Sequence, residues 1–208
     1  KKYNLSGKFD LGDKNPEFNL KVHVKNAMYE DVKKLLPHRI DSSLSIVAVD
    51  RPLEADADLN GPLRGGEPFI NVKWKVKNSG LVTPFLDFEE ASFTGFYNNE
   101  VVKGLPRTDP NSIINISNFS ATWHGLPVSS KNIEILHLLL PELKCDLHSS
   151  FPLTSLNEVI QTNSLELTSG TGDILLNYKG PLQQNDKTNS FLNGYISFKN
   201  GNVLYAPR

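Results

Sequence analysis

The stretch Ile70-Asn71-Val72-Lys73-Trp74-Lys75-Val76-Lys77 places an apolar side chain at every second position. Because successive side chains of a β-strand point to opposite faces of a sheet, this alternation is typical of a strand with one buried and one hydrated face. Residues 18–24 follow the same rule. The chain is therefore expected to form sheets whose two faces differ in polarity.

The same alternation predicts strands along most of the chain, and helices at two places. Residues 29–36 carry apolar side chains at helical spacing, and Ser155 to Ile160 begins with a Ser-x-x-Glu capping box. The predicted fold class is mostly β: curled antiparallel sheets built from two repeated strand-helix-strand units, with two short helices. Further strands are predicted at 5–11, 44–49, 53–59, 91–97, 113–123, 133–139, 143–148, 165–167, 174–178 and 192–205. Gly170-Thr171-Gly172 is predicted to form a turn between two of them.

An internal repeat is indicated when the two predicted helices are aligned with each other. Gly61-Pro62-Leu63 corresponds to Gly180-Pro181-Leu182, and each half ends with an Asn-rich turn, at 78–80 and 200–202. Strand-rich units of this kind stack by burying their apolar faces against one another. We predict one β-rich module, 1–208, that is a fragment of a longer protein, with copies at 16–84 and 141–207 and a strand-rich insert at 85–140.

Charged residues predict the register of one hairpin. Three acids alternate along residues 54–58 and three lysines along residues 73–77. Opposite charges that face each other across two strands contribute about 0.2–1 kcal/mol per pair and help to choose the register. We expect Glu54 opposite Lys77, Asp56 opposite Lys75 and Asp58 opposite Lys73.

Composition excludes several classes of function. The chain has 22 Lys and Arg against 23 Asp and Glu, a formal net charge of −1. Neutralising a phosphate backbone requires an excess of positive charge, so no nucleic-acid partner is expected. The single cysteine, Cys145, cannot close an intrachain disulfide. No apolar run reaches the length of about 18 residues that indicates a transmembrane helix.

Motifs of catalysis and of metal binding are absent from the sequence. It contains no G-x-S-x-G elbow, no G-x-x-x-x-G-K-[ST] phosphate loop and no H-E-x-x-H. Cys145 and His148 are three residues apart on a predicted strand, so they should point to opposite faces and could not chelate one ion. We therefore predict no enzymatic activity, no cofactor and no metal site. A hydrolase or glycan-active enzyme is disfavoured for the same reason.

Turn residues and patterning over most of the chain resemble a known family. The segment Asn26 to Pro37, the Gly-Pro-Leu turns, residues 116–128 and the closing Gly-x-Ile-x-x-x-Asn-Gly-x-x-x-Tyr-x-Pro of residues 194–207 carry the likeness. They are similar to the periplasmic β-rich region of AsmA-like proteins of the Bacteroidetes type. That family is related to TamB and to the bridge-like lipid transfer proteins.

The resemblance implies an apolar groove in a curled sheet and a role in lipid handling, lipid transport or outer-membrane assembly. It also implies a periplasmic location, with attachment to the inner membrane through an N-terminal anchor that this sequence lacks. The implied partners are a phospholipid or another acyl-chain ligand and proteins of the cell envelope. The alternative is a structural or protein-interaction β-scaffold of the cell envelope, whose apolar faces form a closed core.

The strand patterns predict which residues would line such a groove. Each has an apolar side chain on one face of a predicted amphipathic strand. An acyl chain in a trough there would gain about 0.8 kcal/mol per buried methylene. The nine residues are Ile70, Val72, Trp74, Val76, Ile174, Leu176, Tyr178, Ile196 and Phe198.

Overall fold

The computed structural model describes residues 2–12, 15–34, 45–160, 164–182 and 189–205. Within these residues, eleven antiparallel strands form one sheet, accompanied by two short helices. The predicted mostly-β class, with antiparallel pairing and two short helices, is confirmed. Parts of the predicted helix 29–36, of the predicted strand 44–49 and of the closing motif at 194–207 lie outside the described residues.

The strands alternate with short connections for most of the chain. Two 3-10 turns, at 109–111 and at Leu153–Ser155, and the helices α1 (Tyr29–Lys33) and α2 (Leu156–Ile160) complete the described elements. The strands are β1 (Lys2–Asp10), β2 (Glu17–Ala27), β3 (Ala48–Val49), β4 (Leu53–Pro62), β5 (Phe69–Val82), β6 (Asp87–Asn98), β7 (Ile113–Trp123), β8 (Leu126–Leu136), β9 (Glu142–Pro152), β10 (Leu165–Pro181) and β11 (Phe191–Tyr205).

The sheet is an up-and-down meander. Its strand order is β1-β2-β4-β5-β6-β7-β8-β9-β10-β11, so neighbours in the sheet follow one another along the chain, and β3 pairs with one end of β5. Antiparallel neighbours need only short loops between them, which agrees with the close spacing of the predicted strands. Strands β1 and β11 form the two edges of the described sheet.

One face of the sheet is continuously apolar. Residues directly opposite each other on antiparallel strands share a face. Val72 of β5 is opposite Ala57 of β4 and Tyr97 of β6, and Tyr97 is opposite Ile114 of β7. All four are at most 2% exposed. The alternation in the sequence therefore becomes one buried layer that runs across several strands.

Asparagine bulges interrupt four strands. Asn26, Asn78, Asn118 and Asn200 have φ angles of 54°, 46°, 53° and 54°, and each lies at a shift of strand register. Asn occupies this left-handed region more readily than most residues with a side chain. A bulge leaves one residue unpaired and bends and twists its strand. The predicted turns at 78–80 and 200–202 are therefore wrong, because these residues lie within β5 and β11.

A further bulge explains a second difference from the predicted strands. The predicted segments 165–167 and 174–178 belong to one strand, β10, which passes through Gly170 at a φ of +108°. Glycine adopts this conformation without strain, so the strand continues where the sequence predicts a turn. The predicted capping box also lies within a helical stretch, because the 3-10 turn 153–155 runs directly into α2.

The predicted register of the β4–β5 hairpin is wrong by two residues. Asp56 is opposite Lys73 rather than Lys75, and Asp58 is opposite Asn71. A shift of two leaves every side chain on its original face, so alternation alone does not choose between the registers. The acids pair instead with β2: Lys25 Nζ–Glu54 Oε1 at 3.4 Å, His23 Nδ1–Asp56 Oδ1 at 2.6 Å and Lys21 Nζ–Asp58 Oδ1 at 4.0 Å.

The two Gly-Pro-Leu segments make matching hydrogen bonds. The Leu63 amide donates to the Pro16 carbonyl at 2.7 Å, and the Leu182 amide donates to the Pro141 carbonyl at 2.7 Å. Each Gly-Pro-Leu segment therefore meets the proline at which its predicted copy of the repeat begins. The duplication of 16–84 and 141–207 stays a prediction that agrees with these contacts.

Candidate ligand cavity

A partly open cavity of about 170 Å³ lies against the apolar face of the sheet. Six consecutive strands of the meander contribute to its lining, together with α1, β3, the segment 83–86 and Leu182. The lining exposes almost no polar surface. One lining residue from each of the strands β4 to β9 is, in order, Leu53, Trp74, Phe93, Phe119, Ile133 and Cys145.

Aromatic rings build much of the cavity wall. The Phe119 ring lies 5.3 Å from the Phe88 ring and 6.1 Å from the Phe93 ring, measured between centroids. Trp74 of β5 is directly opposite Gly95 of β6. A Cβ atom at Gly95 would overlap the Trp74 indole. Glycine at this position therefore lets the indole lie against the backbone of β6.

Helix α1 presents one face to the cavity. Tyr29, Val32 and Lys33 all line it, as expected for positions three and four apart on a helix. Lys33 is only 8% exposed. Its Nζ atom lies 3.0 Å from a Glu30 carboxylate oxygen and 5.9 Å from the centre of the Tyr29 ring. Among the described lining residues, Lys33 is the one with a charged side chain.

The tight segment between β5 and β6 reaches across the apolar face. The Thr83 hydroxyl donates to the Leu86 carbonyl at 2.7 Å and accepts from the Leu86 amide at 3.0 Å. This turn holds Phe85 with its ring centroid 5.5 Å from that of Tyr178 on β10. The Tyr178 hydroxyl donates to the Pro181 carbonyl at 2.8 Å. Burial, and secondarily the neighbouring Cys145, raise the pKa of Tyr178.

The thiol of Cys145 is part of the apolar lining. Its side chain is buried, and burial, with a smaller contribution from the Asp146 carboxylate, raises its pKa to about 11. The thiol is therefore protonated at neutral pH. A protonated, buried thiol behaves as a small apolar side chain rather than as a nucleophile.

The nine residues nominated from the sequence share one face of the sheet. On β5, Val72 and Trp74 are opposite Ala57 and Ala55 of the buried layer. At the other side of the meander, Tyr178 is opposite Cys145. The pairing of β10 with β9 and β11 extends this face through Ile174, Leu176, Ile196 and Phe198.

The nine differ in what surrounds them. Trp74 lines the cavity, whereas Val72 and Val76 are buried in the packed layer around it. Ile196 and Phe198, on the edge strand β11, are each 59% exposed. Four residues are partly buried: Ile70, Ile174, Leu176 and Tyr178.

None of the lining residues of β6 to β9 or of α1 was predicted from the sequence. Phe93 and Phe119 lie on strands that were predicted, but the nominated residues came from other strands. The alternation of Ala91, Phe93 and Tyr97 was a usable signal, since all three are buried on the same face. Lys33 carried no such signal, because a lysine on a short helix usually points to solvent.

The described residues contain no group of three or more His, Cys, Asp or Glu side chains that could hold a metal ion. Cys145 and His148 lie on opposite faces of β9, as predicted: Cys145 is buried, and His148 Nε2 lies 3.3 Å from Asp173 Oδ2 on the exposed face. In the part of the chain that is described, no helix is long and apolar enough to cross a membrane.

Comparisons with protein-family models, with curated proteins and with solved structures find no match for this chain.

Proposed function

We propose that this chain is a non-enzymatic, lipid-handling module of the AsmA-like kind, which holds an acyl chain in the cavity and serves lipid transport or outer-membrane assembly in the cell envelope. The observation that carries the proposal is a single apolar cavity lined by the same face of six consecutive strands. A cavity with this lining has nothing to offer a polar substrate and favours a hydrocarbon.

Distances across the apolar face support a curled sheet. Neighbouring strands are about 4.8 Å apart, so β4 and β9 would be separated by about 24 Å in a flat sheet. Leu53 of β4 and Cys145 of β9 nevertheless line one cavity of about 170 Å³. The proposed trough follows if the sheet bends toward its apolar face.

The bulges supply a physical cause for such bending. The β5–β6 pair shifts register at residues 76–79 of β5, and the β6–β7 pair shifts at residues 89–94 of β6, which lie beside them in the sheet. A further register shift lies between β8 and β9. Each bulge increases the local twist of its strand, and bulges placed on neighbouring strands are a means of curving a sheet. Asn78, Glu90 and Asn118 occupy left-handed positions in this region.

The size of the cavity fits a short length of a single hydrocarbon chain. An engineered apolar cavity of about 150 Å³ in another protein stays dry and binds benzene. Each methylene transferred from water contributes about 0.8 kcal/mol, so even a few buried methylenes produce measurable binding. The remainder of a longer chain would extend along the apolar face toward the exposed side chains of Ile196 and Phe198.

The apolar face also continues, exposed, onto the other edge of the described sheet. Tyr3, Leu5 and Phe9 of β1 are 56%, 68% and 60% exposed, and they pair with Val24, Val22 and Phe18 on the apolar face of β2. Contiguous exposed apolar surface of this kind marks binding sites for lipids or for proteins. Lipid transport along a sheet would require apolar surface of this kind at the edges of the trough, where the acyl chain enters and leaves.

Binding of a neutral apolar fluorophore, N-phenyl-1-naphthylamine, tests the proposal. The Leu147→Trp variant should lose binding, because Leu147 lines the cavity and the larger side chain would fill it. Leu139→Trp is the matched control, since Leu139 is 52% exposed and outside the lining. Equal binding by both variants, each shown to be folded by its thermal melt, would contradict the proposal. Acyl compounds should also be recovered when organic extracts of the purified protein are examined by mass spectrometry.

A protein-interaction scaffold is the second candidate, and the edge strands favour it. All nine residues of β1 are exposed, and within the described residues β1 pairs only with β2. The outward backbone groups of an edge strand can accept a strand from a partner protein. If this candidate is correct, organic extracts of the purified protein should contain no lipid. Leu147→Trp should then leave fluorophore binding unchanged.

A further inference from the structure

The edge strand β1 has a charge pattern that its neighbour in the sheet does not complement. Lys2, at one end of β1, lies opposite Lys25 of β2, and Asp10, at the other end, lies opposite Glu17. Like charges directly opposite each other on antiparallel strands are destabilising. Strand β2 therefore offers neither end of β1 an opposite charge at the position directly across from it.

We propose that β1 pairs with β1 of a second copy of this chain, in an antiparallel dimer with two-fold symmetry. In the register that overlaps the whole strand, Lys2 of each copy lies opposite Asp10 of the other. Tyr3 then lies opposite Phe9, and Ser6 lies on the two-fold axis opposite its own copy. Each end of the strand pair thus gains the opposite charge that β2 does not provide, and symmetry makes this happen twice.

The two faces of the sheet are compatible with this register. Tyr3, Leu5 and Phe9 are exposed and share the apolar face of β1. A slip of one residue would place these apolar side chains opposite polar ones, and a slip of two in one direction would place Lys2 opposite Lys8. In the full-overlap register the apolar faces of both copies lie on the same side of one continuous sheet.

The backbone and the choice of edge also favour this pairing. An edge strand presents a row of N–H and C=O groups without partners in its own sheet, and closed two-fold dimers use the same patch on both copies. All nine residues of β1 are exposed. Strand β11, at the other edge of the described sheet, has one charged residue, Lys199, and a bulge at Asn200. Its pairing with itself would form no pair of opposite charges.

Sedimentation velocity over a range of protein concentrations tests the dimer. The unmodified chain should show an equilibrium between monomer and dimer. Lys2→Asp would place a carboxylate opposite Asp10 at both ends of the strand pair, so it should raise the dissociation constant at least about tenfold. Combining Lys2→Asp with Asp10→Lys exchanges the two charges and should return the dissociation constant to within about threefold of its original value.

Lys8→Asp is the matched control, because Lys8 lies on the same face of β1 as Lys2 and the change in net charge is the same. In the proposed register Lys8 lies opposite Asn4, so the dissociation constant should change less than about threefold. Thermal melts at concentrations where the chain is monomeric show whether each variant folds. Lys2→Asp should not destabilise the monomer, because the new carboxylate lies opposite Lys25.

Cysteine substitutions test the register itself. Ser6→Cys places two thiols beside the two-fold axis, with Cα atoms about 4.5–5.5 Å apart, a separation that a disulfide can span. Asn4→Cys is the control on the same face, because its two copies would lie about 13 Å apart along the strands. Mild oxidation should give covalent dimers only of Ser6→Cys on a non-reducing gel. Cys145 is common to both variants and is buried.

The possible outcomes separate this inference from the proposed function, because none of them depends on lipid binding. A chain that stays monomeric at all concentrations overturns the inference and leaves the edge to a strand of another protein. Equal weakening by Lys2→Asp and Lys8→Asp, or equal crosslinking of Ser6→Cys and Asn4→Cys, overturns it as well. Assembly beyond the dimer would indicate pairing of β1 with β11 and would also contradict it.

Discussion

The ring of Phe85 lies 5.5 Å from the ring of Tyr178, at an interplanar angle of 63°. Phe85 precedes β6, and Tyr178 belongs to β10, four strands farther along the meander. In a flat sheet those strands would be about 19 Å apart. This edge-to-face contact therefore connects two parts of the apolar face that are distant in the strand order.

A double-mutant cycle measures this contact. Phe85→Leu and Tyr178→Leu should each lower the free energy of unfolding, and their coupling energy should be about 0.5–1.5 kcal/mol, the value typical of aromatic pairs. Denaturant unfolding of the four proteins gives the number. A coupling energy near zero would mean that the two rings do not meet in solution.

A matched pair of threonine substitutions distinguishes the packed layer from the open margin of the apolar face. Val72→Thr should cost about 1–3 kcal/mol, because Val72 is 0% exposed and the new hydroxyl would be buried. Ile196→Thr should cost less than about 0.5 kcal/mol, because Ile196 is 59% exposed. Chemical denaturation checks both values. Equal losses would show that β11 is packed as tightly as β5.

The asparagine bulge at residue 118 offers a test of backbone conformation. Asn118 is exposed and has a φ of 53°. Asn118→Gly should be nearly neutral, because glycine adopts this conformation freely, whereas Asn118→Val should cost about 1–2 kcal/mol. Thermal unfolding compares the two variants. If valine were tolerated as well as glycine, the bulge would not be a feature of the folded protein.

The cavity thiol should react slowly and should respond to alkaline pH. With a pKa of about 11 instead of 9.0, Cys145 holds about a hundredfold less thiolate at pH 8 than an exposed cysteine, so Ellman's reagent should react slowly with the native protein and quickly after unfolding.

The raised pKa of Cys145 also gives the sign of a stability change. A group that binds its proton more tightly in the folded state adds stability below pH 9, and that stability is lost as the pH rises toward 11. Cys145→Ala should remove this part of the pH dependence, which unfolding measurements between pH 8 and pH 11 would show. An identical pH dependence in both proteins would contradict burial of the thiol.

Alternation predicted strands even where a bulge shifts its phase. The predicted strand 113–123 has the bounds of β7, although the buried positions move from Ile114 to Phe119 and Ala121 across the bulge at Asn118. At Gly170 the same reasoning placed a turn inside β10, because glycine suits both a turn and a bulge. Local sequence does not distinguish these two uses of a left-handed backbone.

Register and cavity shape depend on contacts that lie far apart in the sequence. The pairing of Asp56 with Lys73 is set partly by β2, whose His23 faces the same acid from the other side. Trp74 was nominated correctly as a residue of the apolar face, but its place in the cavity wall depends on Gly95 opposite it. The helical spacing of residues 29–36 predicted the helix that carries Lys33, but it did not predict that this lysine would be buried in the cavity wall.

Photo-crosslinking with a fatty acid that carries a diazirine on its chain tests the central claim, that the apolar face encloses a hydrocarbon. After irradiation and digestion, peptide mass spectrometry should locate the label on cavity residues of β5 to β9, such as Trp74, Phe93 and Cys145, and Leu147→Trp should abolish it. Labelling confined to the edge strands β1 and β11, or labelling of the cavity that Leu147→Trp leaves unchanged, would contradict the account.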